Sequence, residues 1–168
     1  MTYRAFAATL LAGFLCAGVA SAQLPPPGGS RRAAMDVSAE DLATILRAEG
    51  YQAKIGVDSD GDPKIDSSMD GTNYEILFYD CTKGDGARCK SYQFSTTFSR
   101  LSPAPTAESM NVWNEQKRFA QASVNDRGRA RLTMNCSPRG TVGDDNFKHV
   151  LSWWKVATRE FKQHIGFK

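Results

Sequence analysis

The spacing of apolar residues changes several times along the chain, and each change marks an element. Ser38 with Asp41 three places on, then Leu42, Ile45 and Leu46 on one face and Gly50 as a stop, predicts a first helix of about three turns. Tyr51, Ala53, Ile55 and Val57 then share one parity while Gln52 and Lys54 take the other, which is the period of a strand. An Asp- and Gly-rich run at 58–62 turns the chain into a short strand near 64–67, completing a hairpin. Past Asp70 and Gly71, Tyr74, Ile76 and Phe78 alternate with Glu75, Leu77 and Tyr79. Tyr92, Phe94 and Phe98 likewise alternate with Ser91, Gln93, Ser95 and Thr97, and these two stretches are the clearest strands in the chain.

Pro103 and Pro105 break the sheet, and Thr106 opens a second helix that carries Met110, Trp113 and Phe119. Val124, a turn at 125–128 and the alternating set Ala130, Leu132, Met134 and Cys136 predict a second hairpin. Thr141 with Asp144 reads as a capping box for a last helix, whose stripe holds Phe147, Val150, Leu151, Trp154, Thr158, Phe161 and Ile165. The order α-β-β-β-β-α-β-β-α, with hairpins rather than crossovers, specifies an α+β domain: an antiparallel sheet with helices packed on it. A short echo, V-[DN]-x-x-G at 57–61 and 124–128, marks two similar turns.

Composition adds the bounds. The chain has 168 residues, 41% hydrophobic and 23% charged, enough for one globular domain with a core of good size. Its net charge of +3 comes from interspersed charges of both signs, too small an excess to require nucleic acid or a polybasic membrane contact.

Ahead of the domain, Arg4 is the sole charge in residues 1–22, followed by an apolar run of 16 residues and the small-residue exit Ala20-Ser21-Ala22. That is the pattern of an export leader cleaved after Ala22, and it predicts a periplasmic or secreted product. An uncleaved anchor is the rival reading, against which stands a run shorter than the roughly 20 residues a spanning helix needs. After cleavage no stable membrane insertion is expected. Cys16 has Phe14 and Leu15 just before it, where lipid attachment wants small residues. Residues 23–35 hold three prolines, two glycines and two arginines and read as a flexible linker, so the folded domain is expected over 36–168.

Export leaves three cysteines, Cys81, Cys89 and Cys136, in a compartment where disulfides persist. Placing Cys81 opposite Cys89 in an antiparallel pair also places Phe78 opposite Tyr92, Ile76 opposite Phe94 and Glu75 opposite Ser95. Apolar then meets apolar, so a disulfide between Cys81 and Cys89 would clamp the register that the hydrophobic pattern already selects. Cys136 shares parity with Leu132 and Met134, as a buried free thiol would; a redox-active or intermolecular role is the alternative.

Few residues point to chemistry. Asp58, Asp60 and Asp62 resemble the start of a calcium loop, but Pro63 and Met69 stand where such a loop needs glycine and a bidentate glutamate. The run reads as a hairpin turn, with weak cation binding as its alternative. His149 and His164 lie about 22 Å apart along one predicted helix and cannot share an ion within the chain. No nucleophile, metalloprotease or phosphate-loop motif is present, and no cofactor is implied. Arg127, Arg129, Arg131 and Arg139 surround the second turn and read as a solvated basic cluster rather than a nucleic-acid site, with an acidic protein partner or anionic lipid as the alternative. Asn111, Trp113 and Asn114 form an N-V-W-N motif in which two mediocre helix formers bracket a tryptophan. Either Trp113 fills the core while Asn114 satisfies neighbouring backbone, or the motif contacts a partner.

In order along the chain, Gly50-Tyr51, D-x-D-G-D-P at 58–63, D-G-x-x-Y at 70–74, Asp80-Cys81, N-x-W-N at 111–114, Arg118-Phe119 and Trp153-Trp154 resemble the YbjN-domain family of bacterial sensory transduction regulators. The likeness covers about 36–161 and implies the fold of type III secretion chaperones, a curved antiparallel sheet with helices at its face. The turn at 125–129 is more basic than that family leads one to expect. The resemblance implies no catalytic residues. It implies a non-enzymatic, chaperone-like or regulatory module that binds another protein, with a homodimer among the forms such folds take.

The expectation is therefore a protein-binding module of the bacterial envelope using an exposed aromatic surface, either on the sheet or on the helix that bears Trp113. The alternatives are a small-ligand or cation-binding module at Asp58, Asp60 and Asp62, and a hydrolase whose site is assembled from distant residues.

Overall fold

The computed structural model describes residues 36–99, 101–138 and 144–167. The expected leader and linker, and Thr141 of the expected capping box, lie outside these residues. The elements are α1 (Ala39–Ala48), β1 (Lys54–Val57), β2 (Pro63–Met69), β3 (Thr72–Cys81), β4 (Cys89–Phe98), α2 (Ala107–Gln116), β5 (Gln121–Val124), β6 (Ala130–Cys136) and α3 (Asp144–His164). This is the order expected from the sequence, in an α+β fold.

The strands form one antiparallel sheet in the order β1-β2-β3-β4-β6-β5. Its centre carries the register that the cysteines select: Phe78 faces Tyr92, Ile76 faces Phe94, Glu75 faces Ser95 and Cys81 faces Cys89. One face of the sheet is buried. Ile65, Tyr74, Ile76, Phe78, Tyr92, Phe94, Leu132 and Met134 line it, and Leu42 and Leu46 of α1 join the same core as Phe147, Leu151, Trp154 and Phe161 of α3. Phe94 stacks on Trp154 at 5.3 Å and on Phe147 at 6.1 Å between ring centres, so α3 is laid across the middle of the sheet by its aromatic stripe.

Local chemistry explains the boundaries. Ser38 and Asp41 cap α1 reciprocally, the Asp41 amide donating to Ser38 Oγ at 3.1 Å and the Ser38 amide to Asp41 Oδ2 at 3.0 Å. At the other end Gly50, with φ of 83°, takes the left-handed step that a side chain resists, and the Tyr51 amide turns back to Leu46 O at 2.9 Å. Tyr51 thus finishes a helix instead of starting a strand, which is why β1 begins at Lys54 rather than at the expected Tyr51. Ile55 and Val57 do not bury the face expected of them, because β1 is the sheet edge. Asp70 and Gly71, both with positive φ, make the two-residue turn between β2 and β3 that this pair of residues favours.

The second helix stops earlier than expected. It ends at Gln116, not near Phe119, and Lys117 is already extended. Phe119 lies six places past Trp113, about 240° round a helix and so off the stripe that Trp113 begins. The ring is instead stacked flat on Trp153 of α3, 4.3 Å between centres and 11° between planes.

Candidate functional site

The N-V-W-N motif sits where α2 turns back into β5. Trp113 is 1% exposed, rests edge-on against Phe161 at 5.0 Å, and donates from Nε1 to Ala120 O at 2.9 Å. Asn114 reaches the outer edge of β5, donating from Nδ2 to Ala122 O at 3.0 Å and accepting from the Ala122 amide at 2.8 Å. A carboxamide thereby takes the place of a further strand at an edge that would otherwise present both groups. Trp113 fills the core and Asn114 satisfies backbone, while Asn111 is exposed. The helix that bears Trp113 therefore does not offer that ring to a partner.

The acidic turn is built from one carboxylate. Asp58 Oδ1 accepts the amides of Asp60 and Asp62, each at 3.0 Å, and Asp62 faces Lys83 at 3.6 Å. The second turn repeats the design with an amide, as Asn125 Oδ1 accepts from Arg127 at 3.0 Å and Arg129 at 2.9 Å. The shared V-[DN]-x-x-G pattern is thus a turn whose side-chain oxygen ties the loop together, whatever its charge. Among the described residues no group of three His, Cys, Asp or Glu side chains is placed to hold a metal ion.

Cys81 and Cys89 are joined in a disulfide. Beside it, Val37 exchanges two backbone hydrogen bonds with Cys89, at 2.9 and 2.8 Å, while Arg88 donates to Asp36 O and pairs with Asp41 at 3.3 Å. The bridged loop holds the start of α1. Cys136 is free and half-buried, opposite Tyr92 on the helix-covered face. Desolvation pushes its thiol up to about 11, with a weaker opposing pull from Tyr92, so at neutral pH it is a protonated, unreactive group.

The uncovered face of the sheet is polar. Lys64 Nζ binds Asp66 and Glu75, both at 2.9 Å, and those two hydrogen bonds raise its pKa against the opposing cost of burial. Tyr79 donates to Gln93 at 3.4 Å, Gln93 donates to Asn135 at 2.7 Å, and Arg131 Nε donates to Ser95 Oγ at 3.2 Å. The aromatic surface expected on the sheet is reduced here to Tyr79.

Exposed aromatic area gathers elsewhere. Phe119 and Trp153 remain 45% and 37% exposed although stacked on each other, Val156 one turn along α3 is also exposed, and Arg118 lies over the Phe119 ring at 4.9 Å. Sequence periodicity misses this pair because it ranks residues by their fit to the buried stripe. The signal available was Trp153-Trp154 itself: neighbours on a helix point about 100° apart, so both cannot face one core.

An open antiparallel sheet with helices on one face, a bridged loop and a bracketed tryptophan define a small α+β module. The chain belongs to the YbjN family, whose description is "Putative bacterial sensory transduction regulator" and whose sequence model matches residues 38–167. No curated protein matches the chain. No helix among the described residues is long and apolar enough to cross a membrane.

Proposed function

We propose that the protein is an exported, non-enzymatic module of the bacterial envelope, periplasmic or secreted, that binds another protein and acts as a chaperone-like or regulatory component. The observation that carries this reading is the stacked, exposed pair Phe119 and Trp153. Two large rings that stay partly in water at the junction of two elements form a contiguous apolar surface, and surface of this kind marks interaction sites. With Arg118 beside them, the rings suit a partner segment that offers an apolar side chain next to an acidic one. The family's regulatory description supports the same reading.

The test is capture from envelope extract with the full chain and with a Phe119→Ser/Trp153→Ser variant, alongside sedimentation of both. Because the rings are stacked and more than half covered, the variant is expected to lose some thermal midpoint but to stay folded, while losing at least about tenfold of the capture of one partner, as for loss of aromatic anchors. Self-association abolished by the same variant would identify the partner as a second copy. Equal capture by both forms, or a monomer that captures nothing, removes the proposal.

A further inference from the structure

A separate cavity, of about 310 Å³, lies between the tip of the β2–β3 hairpin and the C-terminal half of α3. Its size falls at the lower end of the roughly 300–1,000 Å³ typical of small-molecule pockets. Lys155, Thr158, Arg159 and Lys162 line it from α3, and their spacing places all four on one helix face. Thr72 and Asp70 line it from the hairpin, with Met69 and Phe167 supplying apolar wall.

Two features single this cavity out. The hydroxyls of Thr72 and Thr158 are buried, with each residue 7% exposed, and neither finds a hydrogen-bond partner in the protein. Buried hydroxyls are ordinarily paired, and both orphans belong to residues that line this one cavity, where a polar ligand would partner them once each hydroxyl turns toward it. The charge gives its sign. Lys155 is paired with Asp70 at 3.5 Å, whereas Arg159 has no carboxylate partner among the described residues, and Lys162 lies over the Phe167 ring at 5.6 Å. Cations in the last turns of a helix also complement its dipole, but that accounts for neither hydroxyl.

We propose that this cavity binds a small organic oxyanion. Arg159 and Lys162 neutralise the head, the Thr72 and Thr158 hydroxyls rotate toward the cavity and donate to its oxygens, and a short apolar body rests on Met69 and Phe167. The site shares no residue with the Phe119–Trp153 pair, so either assignment can fail without the other.

The full chain is titrated with phenyl phosphate, benzoate and inorganic phosphate, followed by calorimetry and by amide chemical shifts. Phenyl phosphate or benzoate is expected to bind and to shift the amides of Thr72 and Thr158; which of the two binds more tightly assigns the head as phosphate or carboxylate. Arg159→Gln is expected to weaken binding about tenfold or more, the scale of a charged hydrogen bond. Thr158→Val is expected to keep or raise the ligand-free thermal midpoint, since it removes an orphan hydroxyl, while still weakening binding. That combination separates a ligand contact from a structural role. No shift at either threonine with millimolar ligand, equal affinity of Arg159→Gln and the parent, or inorganic phosphate binding as tightly as both aromatic anions overturns the proposal.

Discussion

At the scale of single residues, polar atoms are placed where they close a local deficit. Asp58 and Asn125 tie two turns with one oxygen each, and the Ser67 hydroxyl links Gln52 O at 2.6 Å to the Tyr74 hydroxyl at 3.0 Å inside the core. Burial is also what sets the titration of Cys136 and Tyr74. Each has a folded pKa above its ordinary value, Cys136 rising from 9.0 to about 11 and Tyr74 from 10.0 to about 12, chiefly by desolvation. A raised pKa means the folded chain holds the proton more tightly, so this stability is intact below pH 9 and is lost as pH climbs through about 11. Urea midpoints should therefore fall across that alkaline window, and less steeply in Cys136→Ala. Alkylation of Cys136 by iodoacetamide should be slow at neutral pH and accelerate only well above the pH that suffices for the unfolded chain. Rapid neutral-pH labelling of the folded protein would restore the redox reading of this thiol.

At the scale of elements, the decisive question is how each strand and helix ends. β5 is a four-residue strand at the sheet edge, and its outward backbone groups at Ala122 are met by Asn114 rather than by another strand. Asn114→Ala removes both contacts and re-exposes a pairing edge, so it should cost about 1–2 kcal/mol. Asn114→Asp keeps the acceptor for the Ala122 amide but sets a carboxylate against the Ala122 carbonyl, and should be no better. Urea unfolding with an unchanged slope measures the loss; a variant as stable as the parent would mean that water serves this edge equally well.

At the scale of the whole molecule, the disulfide does more than close a loop. Through Val37 and Arg88 the bridged segment fixes residues 36 and 37 to the sheet, and α1 starts immediately afterwards. Reduction should lower stability by about 2 to 3 kcal/mol from loop entropy. The amides of Val37 and Cys89 should be the first to lose protection from hydrogen exchange, ahead of Ile76 and Phe94 at the sheet centre. Identical thermal midpoints with and without reductant would show that the bridge contributes nothing to the clamp. This placement also sets the distribution of surfaces: α1 and α3 cover one face, the other stays polar, and apolar area is left at the junction of the α2–β5 loop with α3.

Much of this architecture could be read from residue order alone, because strand parity and turn chemistry are local. The alternation of Phe78, Ile76 and Tyr74 against Tyr92 and Phe94 fixed pairing and register together, and two cysteines eight residues apart in the same register agreed with it. The turns at Asp58 and Asn125 were legible for the same reason, since one oxygen reaches amides only a few positions ahead. What periodicity could not decide was the use of a residue whose partner is remote in sequence. Asn114 meets Ala122 only because α2 folds back; Phe119 leaves its helix because Trp153 is waiting on α3; Thr72 and Thr158 become orphans only when hairpin and helix close around one space. Local patterns fix what a segment can form, but burial and charge at a site depend on which segments meet there, and that is a property of the folded chain.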